Sequence, residues 1–211
     1  MSSGTPVVFV VDDDASVQRG LKRLLRSAGF TAETFASAPD FLERHDRNVP
    51  GCVILDLAMP GLDGLQMQTA LTDRGSILPI IFLTGHGDIA TSVRAMKGGA
   101  VDFLTKPVTD DDLLSAVRMA IQRCEALYRA RDEILTLRSR VATLTPRERE
   151  VLMHLLSGKI NKQIAADLGT VEHTIKVHRA RVMQKMQART LADLVRLAER
   201  AGIEATPPDG T

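Results

Sequence analysis

Long apolar runs, clustered cysteines and a large net charge are all missing from this sequence. No stretch of 18 consecutive apolar residues occurs, so we expect no membrane-spanning helix and no membrane partner. The first residues, MSSGTP, lack the basic and apolar regions of a signal peptide. The two cysteines, Cys52 and Cys124, do not have the spacing of metal ligands, and we interpret them as reduced thiols in a cytoplasmic protein.

The length and the distribution of charge predict two domains with different partners. At 211 residues the chain exceeds the usual size of a single domain, and each half is long enough for its own core. The formal net charge is only +1, but it is unevenly spread. Residues 1–123 contain 15 acidic and 12 basic side chains, whereas residues 145–200 contain 6 acidic and 11 basic ones. The C-terminal part is therefore the one suited to a polyanion.

Short apolar runs in the first 123 residues alternate with amphipathic segments. The run at residues 52–55 is too short for a buried helix and is interpreted as a central strand, while residues 30–35 alternate weakly and predict an edge strand. This alternation predicts a parallel sheet covered by helices on both faces. Four of the strands end at polar side chains. These are Asp12, Asp13 and Asp14 after residues 7–11, Asp56 after residues 52–55, Thr84 after residues 78–83, and Thr105 and Lys106 after residues 100–104.

The polar ends of these strands predict phosphoryl chemistry. In a parallel sheet the carboxyl ends of the strands form the edge at which ligands bind. Acids gathered there stay ionised together around a hard cation such as Mg²⁺. A divalent cation, with Lys106 and Thr84, supplies what a transferring phosphoryl group needs. We therefore interpret Asp56 as a nucleophile that forms an aspartyl phosphate. Taken alone, Asp56 has the alternative of merely capping the next turn.

These motifs resemble the receiver domain of two-component response regulators. The resemblance rests on the acid pair after the first strand, on LDLAMPGLDG around Asp56, on Thr84, and on Lys106 followed by Pro107. It implies a flavodoxin-like domain over residues 1–123, with a doubly wound α/β fold and a five-stranded parallel sheet of order 2-1-3-4-5. It also implies that Asp56 is the phosphoacceptor and that Thr84 and Lys106 hold the phosphoryl oxygens.

The same resemblance implies a metal site and a switch. The implied switch residues are Thr84 and Phe103. Phe103 stands where the family has an aromatic residue that turns inward on activation. We expect Asp14, the third acid, to be solvated or to cap the first helix. The implied Mg²⁺ ligands are Asp13, Asp56 and the backbone carbonyl of Ala58, with Asp12 acting through a bound water.

The fifth helix of this domain is predicted to continue as a helical linker over residues 124–143. Its apolar residues recur at steps of 4 and 3 in two runs with a slip near Tyr128, a spacing typical of a coiled-coil seam. A helix that lies on its own receiver is the alternative, and both interpretations stay open. The two runs are Leu113, Val117, Ala120, Cys124 and Leu127, and then Ala130, Ile134, Leu137, Val141 and Leu144.

A capping box marks the start of a second domain. Thr145 stands at an N-cap, Pro146 at the first helical position and Glu148 two residues further on. Two helices joined by a tight turn follow, and the second is rich in bases, which predicts a helix-turn-helix. After the helix that begins at residue 146, the predicted helices are residues 161–168, residues 172–186 and a closing helix at residues 191–200, with Gly169 in the turn.

This second domain resembles the LuxR-type output domain. The resemblance implies an all-α, four-helix helix-turn-helix domain over residues 144–200, and we expect a flexible tail over residues 201–211. With both halves in this order, the chain resembles a response regulator of the NarL/FixJ family, and TGHGD and VHRARVMQKM favour the FixJ-like subgroup. One departure is Val171, because the family commonly has Ser or a similar N-cap before the recognition helix.

A rotation of about 100° per residue separates the faces of the helix at residues 172–186. Ile175, Val182 and Met186 fall on the core side. The opposite face is basic and is predicted to enter the major groove of DNA. Arg179 lies toward the core side, so an intramolecular contact and a DNA contact both stay open. The predicted contacts are Lys176, Val177 and Ala180 with base edges, and Arg181 and Lys185 with phosphates, with Gln184 on the same face.

The resemblance implies a phosphorylation-dependent transcriptional regulator, in the family's usual sense an activator. It would accept a phosphoryl group from a sensor histidine kinase, dimerise and bind double-stranded operator DNA, with RNA polymerase as a further partner. We expect no enzymatic activity beyond its own phosphoryl transfer and autodephosphorylation. An enzyme of the haloacid-dehalogenase kind fits poorly, because such an enzyme has its nucleophile early in the chain in a DxD motif and has an added cap domain, and neither feature fits Asp56. A receiver-controlled module whose C-terminal helices bind protein or RNA is the remaining alternative.

Overall fold

Five short strands form one sheet in the computed structural model, which describes residues 5–85 and 88–203. They are β1 (Val7–Val11), β2 (Thr31–Phe35), β3 (Gly51–Leu55), β4 (Ile80–Thr84) and β5 (Asp102–Thr105). The order across the sheet is β2-β1-β3-β4-β5, and all neighbouring strands are parallel. The predicted five-stranded parallel sheet of order 2-1-3-4-5 is therefore confirmed.

Helices separate the strands and then continue alone to the C-terminal end of the described chain. Alternate side chains of β1 enter two different apolar clusters, with Phe9 in one and Val8 and Val10 in the other, because successive residues of a strand point to opposite faces. Both faces of the sheet are thus covered. The helices are α1 (Ala15–Ser27), α2 (Ala38–Arg44), α3 (Gly64–Asp73), α4 (Ile89–Lys97), α5 (Asp110–Ala142), α6 (Pro146–Leu156), α7 (Asn161–Asp167), α8 (Glu172–Met186) and α9 (Leu191–Arg200).

Side-chain oxygens begin most of these helices. Asp14 accepts a hydrogen bond from the amide of Ser16 at 2.7 Å, so the expectation that it caps α1 is confirmed. Thr145 and Glu148 form the predicted capping box at α6. The full set of side-chain caps is Asp14 (α1), Ser37 (α2), Asp63 (α3), Asp88 (α4), Thr109 (α5), Thr145 (α6) and Thr190 (α9).

The long helix α5 contributes to two cores. The chain divides into two compact units between Arg129 and Ala130, inside this helix. Four residues of the first 4-and-3 run are buried in the N-terminal unit. Three of the second run are buried in the C-terminal unit, and two of these, Val141 and Leu144, belong to its apolar cluster, Leu144 lying just beyond the end of α5. Seven of the ten residues in the two 4-and-3 runs are therefore buried within single units, while Leu127 is exposed. The buried residues are Leu113, Val117, Ala120 and Cys124, and Leu137, Val141 and Leu144.

Helices α6 to α9 surround the apolar cluster of the C-terminal unit. Leu152, Leu155 and Ile164 are fully buried there, together with Ile175 and Val182 of α8. The bounds of α8 and α9 are the predicted ones. No helix in the described residues is long and apolar enough to cross a membrane. Of the predicted flexible tail, residues 204–211 lie outside the described residues.

His45, which follows α2, is partly buried and packs against two aromatic rings. It stacks on Phe41 with ring centroids 4.7 Å apart and meets the Phe9 ring edge-on at 4.7 Å. Both ring nitrogens are buried and have no hydrogen-bond partner among the described residues. Burial lowers the pKa of His45 below 6.5 and outweighs the opposite effect of Asp46 and Glu33. The folded chain therefore favours the neutral imidazole.

This environment predicts acid sensitivity of the N-terminal unit. Below pH 6.5 the unfolded chain binds the His45 proton first, so the free energy of unfolding should fall as the pH drops from 6.5 through the lower folded-state pKa. Tyr128, the single tyrosine in a chain without tryptophan, reports on this unit by its fluorescence. Urea titrations at pH 7.0 and pH 5.0 should show the loss, and His45→Phe should make it smaller. An equal loss in that variant would contradict the assignment.

Candidate functional site

Three carboxylates meet at the carboxyl edge of the sheet. Asp12 and Asp13 follow β1 and Asp56 follows β3, and the pairing of Val11 with Leu55 places these strand ends side by side. One carboxylate oxygen from each acid lies within 4.8 Å of the others. Asp12 and Asp56 are only 3% and 7% exposed, whereas Asp13 is exposed. The acidic cluster predicted from two separate motifs is therefore present.

Lys106 joins this cluster from the end of β5. Its ammonium donates to Asp12 Oδ2 at 2.7 Å and to Asp56 Oδ1 at 3.3 Å. Thr84 is fully buried at the end of β4, and its backbone carbonyl accepts from the amide of Lys106 at 2.8 Å. The sheet register thus brings the predicted lysine and threonine to the same edge as the acids.

The charges in the site act on one another. Burial raises the pKa of Asp56 above 3.8, the charge of Lys106 opposes this, and the charge of Asp12 adds to it. For Lys106, burial alone would lower the pKa, but the hydrogen bond to Asp12 and the charges of Asp56 and Asp12 raise it above 10.5. Lys106 therefore stays an ammonium at neutral pH. The all-oxygen donor set of the three acids is the kind that Mg²⁺ prefers.

Gly64 is a residue of the site that sequence reasoning overlooked. A Cβ atom at this position would lie 2.6 Å from the carbonyl oxygen of Asp56 and 3.0 Å from Cα of Leu57. The glycine therefore lets α3 begin directly against the backbone of the acidic residue, with its amide donating to the carbonyl of Leu57 at 3.0 Å. The available signal was the Asp-Gly pair that closes LDLAMPGLDG.

The remaining residues predicted for this site are Phe103 and Ala58. Phe103, on β5, is partly buried, and its ring centroid is 6.0 Å from that of Phe82. Ala58 is exposed in the loop that follows Asp56. Both positions are compatible with the predicted switch and carbonyl-ligand roles, which stay predictions.

The recognition-helix candidate α8 has the two faces that its rotation predicted. Ile175, Val182 and Met186 are fully buried. Arg179 is directed inward, and its guanidinium donates to Asn161 Oδ1 at 3.2 Å, which ties α8 to the start of α7. On the other face the side chains are exposed. They are Lys176, Val177, Ala180, Arg181 and Gln184.

Lys185 differs from the other predicted DNA contacts. Its ammonium donates to Glu148 Oε2 at 2.6 Å and to the carbonyl oxygen of Thr143 at 2.9 Å. Glu148 is only 3% exposed and also accepts from the amide of Thr145 at 2.9 Å. These bonds hold the pKa of Glu148 below 4.5, with the Lys185 bond having the largest effect. The structure thus places Lys185 in the capping structure of α6 rather than among the exposed cations of α8.

Several other bases of the C-terminal unit are also engaged within it. Arg147 donates to the carbonyl oxygen of Leu168 at 2.6 Å, and Lys159 pairs with Asp167 at 2.8 Å. The charge excess counted from the sequence therefore overstates the cations that are available to a partner. Among the described residues, exposed bases without an ion pair or a side-chain hydrogen bond include Lys162 on α7, Arg181 on α8 and Arg189. Lys162 was not singled out by the sequence, because no periodicity distinguishes it.

Comparisons with known proteins assign both halves of the chain. Residues 8–118 match the family model for the response regulator receiver domain, and residues 142–198 match the model for bacterial regulatory proteins of the luxR family. Nodulation protein W of Bradyrhizobium diazoefficiens is 47% identical over 210 residues, which cover 100% of this chain and 92% of that protein.

Two further relatives also match nearly the whole chain. The transcriptional regulatory protein FixJ of Bradyrhizobium diazoefficiens is 44% identical over 196 residues, covering 93% of this chain and 96% of that protein. The solved structure of the response regulator StyR has a TM-score of 0.83 and 47% sequence identity, covering 93% of this chain and 100% of that one. With a receiver domain followed by a LuxR-type DNA-binding domain, the chain belongs to the NarL/FixJ family of response regulators.

Proposed function

We propose that a sensor histidine kinase phosphorylates this response regulator on Asp56 and that phosphorylation controls transcription through dimerisation and operator binding by α8. The observation that carries the proposal is the position of Asp56. It is a buried carboxylate within 4.8 Å of two further acids and 3.3 Å from the ammonium of Lys106, at the open edge of a parallel sheet. A residue that only capped a turn would not require this surrounding charge.

The geometry supports nucleophilic attack by Asp56 on a phosphohistidine. A carboxylate oxygen of Asp56 forms a bond to phosphorus while the P–N bond breaks, and the leaving imidazole takes up a proton. Lys106 is already within hydrogen-bond reach of the carboxylate and neutralises negative charge on the incoming phosphoryl oxygens. Mg²⁺ would be held by Asp13, Asp56 and the Ala58 carbonyl, with Asp12 acting through water, and when bound it supplies further neutralisation of the phosphoryl group.

Phosphorylation adds roughly −1.5 to −2 charges beside Lys106. We propose that Lys106 then exchanges its bond to Asp12 for one to the phosphoryl group, that Thr84 donates to a phosphoryl oxygen, and that Phe103 turns inward. Such a change biases an equilibrium between two states that exists before phosphorylation. The aspartyl phosphate would finally be hydrolysed by the domain itself.

Exposed apolar residues support dimerisation of the receiver. Ile89, Val93 and Met96 are exposed on α4 at helical steps of 4 and 3, so they share one face of that helix, and Met119 is exposed on α5. A second phosphorylated copy is the partner that we propose for α4. A dimer would present two copies of α8 and so favour an operator with two half-sites.

Phosphodonor-dependent gel shifts test this function. The full chain, with and without acetyl phosphate and Mg²⁺, is added to genomic fragments, and its mass is measured by light scattering. We expect a phosphodonor-dependent dimer and a shifted subset of fragments. Recruitment of RNA polymerase to those fragments, followed by transcription in vitro, tests the activator role. Binding of RNA or protein without any DNA shift would favour an interaction module instead.

Substitutions on the exposed face of α8 should weaken operator binding. We expect Lys176→Ala and Arg181→Ala each to lower affinity about tenfold, and loss of a phosphate contact to reduce the slope of log affinity against log salt concentration by about 1. The slope is measured by fluorescence anisotropy between 50 and 200 mM salt. Arg196→Ala on α9, another exposed base of this unit, serves as the control. Unchanged affinity and slope in both α8 variants would contradict the proposed face.

A further inference from the structure

The two helices of the helix-turn-helix motif begin differently from the other helices of the described chain. Seven helices begin with a side-chain oxygen that accepts from a first-turn amide, as given above. In contrast, Ile160 precedes α7 and Val171 precedes α8, and neither supplies a side-chain cap. At α7, the side chain of Gln163 at least accepts from the amide of Ile160 at 3.0 Å.

Val171 stabilises the folded unit no better than a polar residue at the same position would. The residue is 65% exposed, so its side chain gains little from burial. It also gives up the stabilisation that a Ser, Thr, Asp or Asn would provide as an N-cap. Where a local rule is broken without a gain to the fold, a role in function is the expected compensation.

The position of Val171 indicates what covers this side chain. Recognition helices of this motif present their N-terminal residues to base edges in the major groove. Val171 immediately precedes α8, on which Lys176 and Arg181 are exposed and suited to an anionic partner. In that groove, the apolar group available to a valine is the C5-methyl group of thymine.

We infer that Val171 is a further specificity-determining residue, which contacts the C5-methyl group of a thymine in the operator. The inference rests on the proposed DNA binding by α8. It adds a contact to the one predicted for Val177, which is exposed on α8 six residues later. An operator of this protein therefore contains a thymine in each half-site that is read from the very start of α8.

Ile160 provides a matched control. It is also an exposed aliphatic residue immediately before a helix of the motif, with 61% of its surface accessible. The first helix of a helix-turn-helix crosses the DNA backbone instead of entering the groove. Ile160→Ala should therefore leave the reading of bases unchanged, whereas Val171→Ala should not, although both changes remove an aliphatic side chain at the start of a helix that lacks a side-chain cap.

The test combines protein and DNA substitutions. Full-length protein treated with acetyl phosphate selects duplexes from a random pool, and each thymine of the selected duplex is replaced in turn by deoxyuridine, which lacks the methyl group. For the unchanged protein, at least one replacement should lower affinity about fourfold, the equivalent of about 0.8 kcal/mol for one buried methyl group. With Val171→Ala the penalty at that thymine should disappear, and penalties elsewhere should persist.

The outcomes separate this inference from the proposed function. If Val171→Ala keeps every deoxyuridine penalty, or if Ile160→Ala removes the same one, the thymine contact is refuted while DNA binding stands. If no duplex is enriched by the phosphorylated protein, DNA binding itself fails and the inference falls with it. A double-mutant cycle over protein and base gives the coupling directly.

Discussion

Asp56→Asn should lower the incorporation of phosphate from labelled acetyl phosphate at least a hundredfold. The amide is not a nucleophile at phosphorus, so the acyl phosphate has no site of formation. The fold should persist, because the shorter bond of Lys106, to Asp12 at 2.7 Å, does not involve Asp56. Incorporation is measured by autoradiography with Mg²⁺ present, and Tyr128 fluorescence reports the integrity of the N-terminal unit.

Asp14→Asn is the matched control for this experiment. Asp14 belongs to the same run of three acids after β1, but its carboxylate caps α1, and asparagine is an equally good cap. Labelling should therefore be retained in this variant. Equal labelling of Asp56→Asn and the unchanged protein would place the phosphoacceptor elsewhere.

Glu148→Ala should cause a large loss of stability in the C-terminal unit. The substitution leaves the amide of Thr145 without its acceptor and Lys185 without its carboxylate partner, which together should cost about 2–3 kcal/mol in the free energy of unfolding. Hydrogen exchange of α6 and α8 peptides in the full chain measures the loss. Glu150→Ala is the control, since among the described residues this exposed glutamate pairs only with Arg147 on the same helix, and its loss should cost less than about 0.5 kcal/mol.

The ion pair between Glu148 and Lys185 also makes stability depend on pH and predicts the effect of substituting Lys185. Because the folded-state pKa of Glu148 lies below 4.5, its stabilisation is present above that pH and is lost as the pH falls through the folded value. Lys185→Gln should lower stability but leave the salt dependence of operator binding unchanged. A reduced salt slope in that variant would instead support the phosphate contact predicted from helix rotation. No change in hydrogen exchange for Glu148→Ala would contradict the structural role.

Local chemistry accounts for what was predictable about the fold. The apolar runs, the Gly and Pro breaks and the caps at Asp14 and Thr145 act within a few residues, so the sequence predicts them directly. Even a shifted boundary has a local reason. β4 begins at Ile80 instead of residue 78, because Pro79 has no amide hydrogen and enters the ladder only through its carbonyl, which accepts from Val53 at 2.9 Å.

The spacing of α5 shows where such reasoning ends. Steps of 4 and 3 describe one face of a helix but not the surface that it meets. In the structure, Leu113 and Val117 pack in an apolar cluster of the N-terminal unit, while Val141 packs in the cluster of the C-terminal unit. A seam between two chains and contacts within one chain have the same sequence signature, because both require only an apolar stripe.

The sequence by itself determined the five-stranded parallel sheet, the helix-turn-helix and the acidic residues Asp12, Asp13 and Asp56, because strand ends and short motifs carry that information locally. Only the tertiary structure decided that Lys106 bridges Asp12 and Asp56 and that Lys185 is bound to Glu148. It also decided that residue 64 has no room for a Cβ atom beside the backbone of Asp56. These contacts join residues 8 to 94 positions apart in the sequence. Their existence depends on how whole elements pack, which no short-range pattern records.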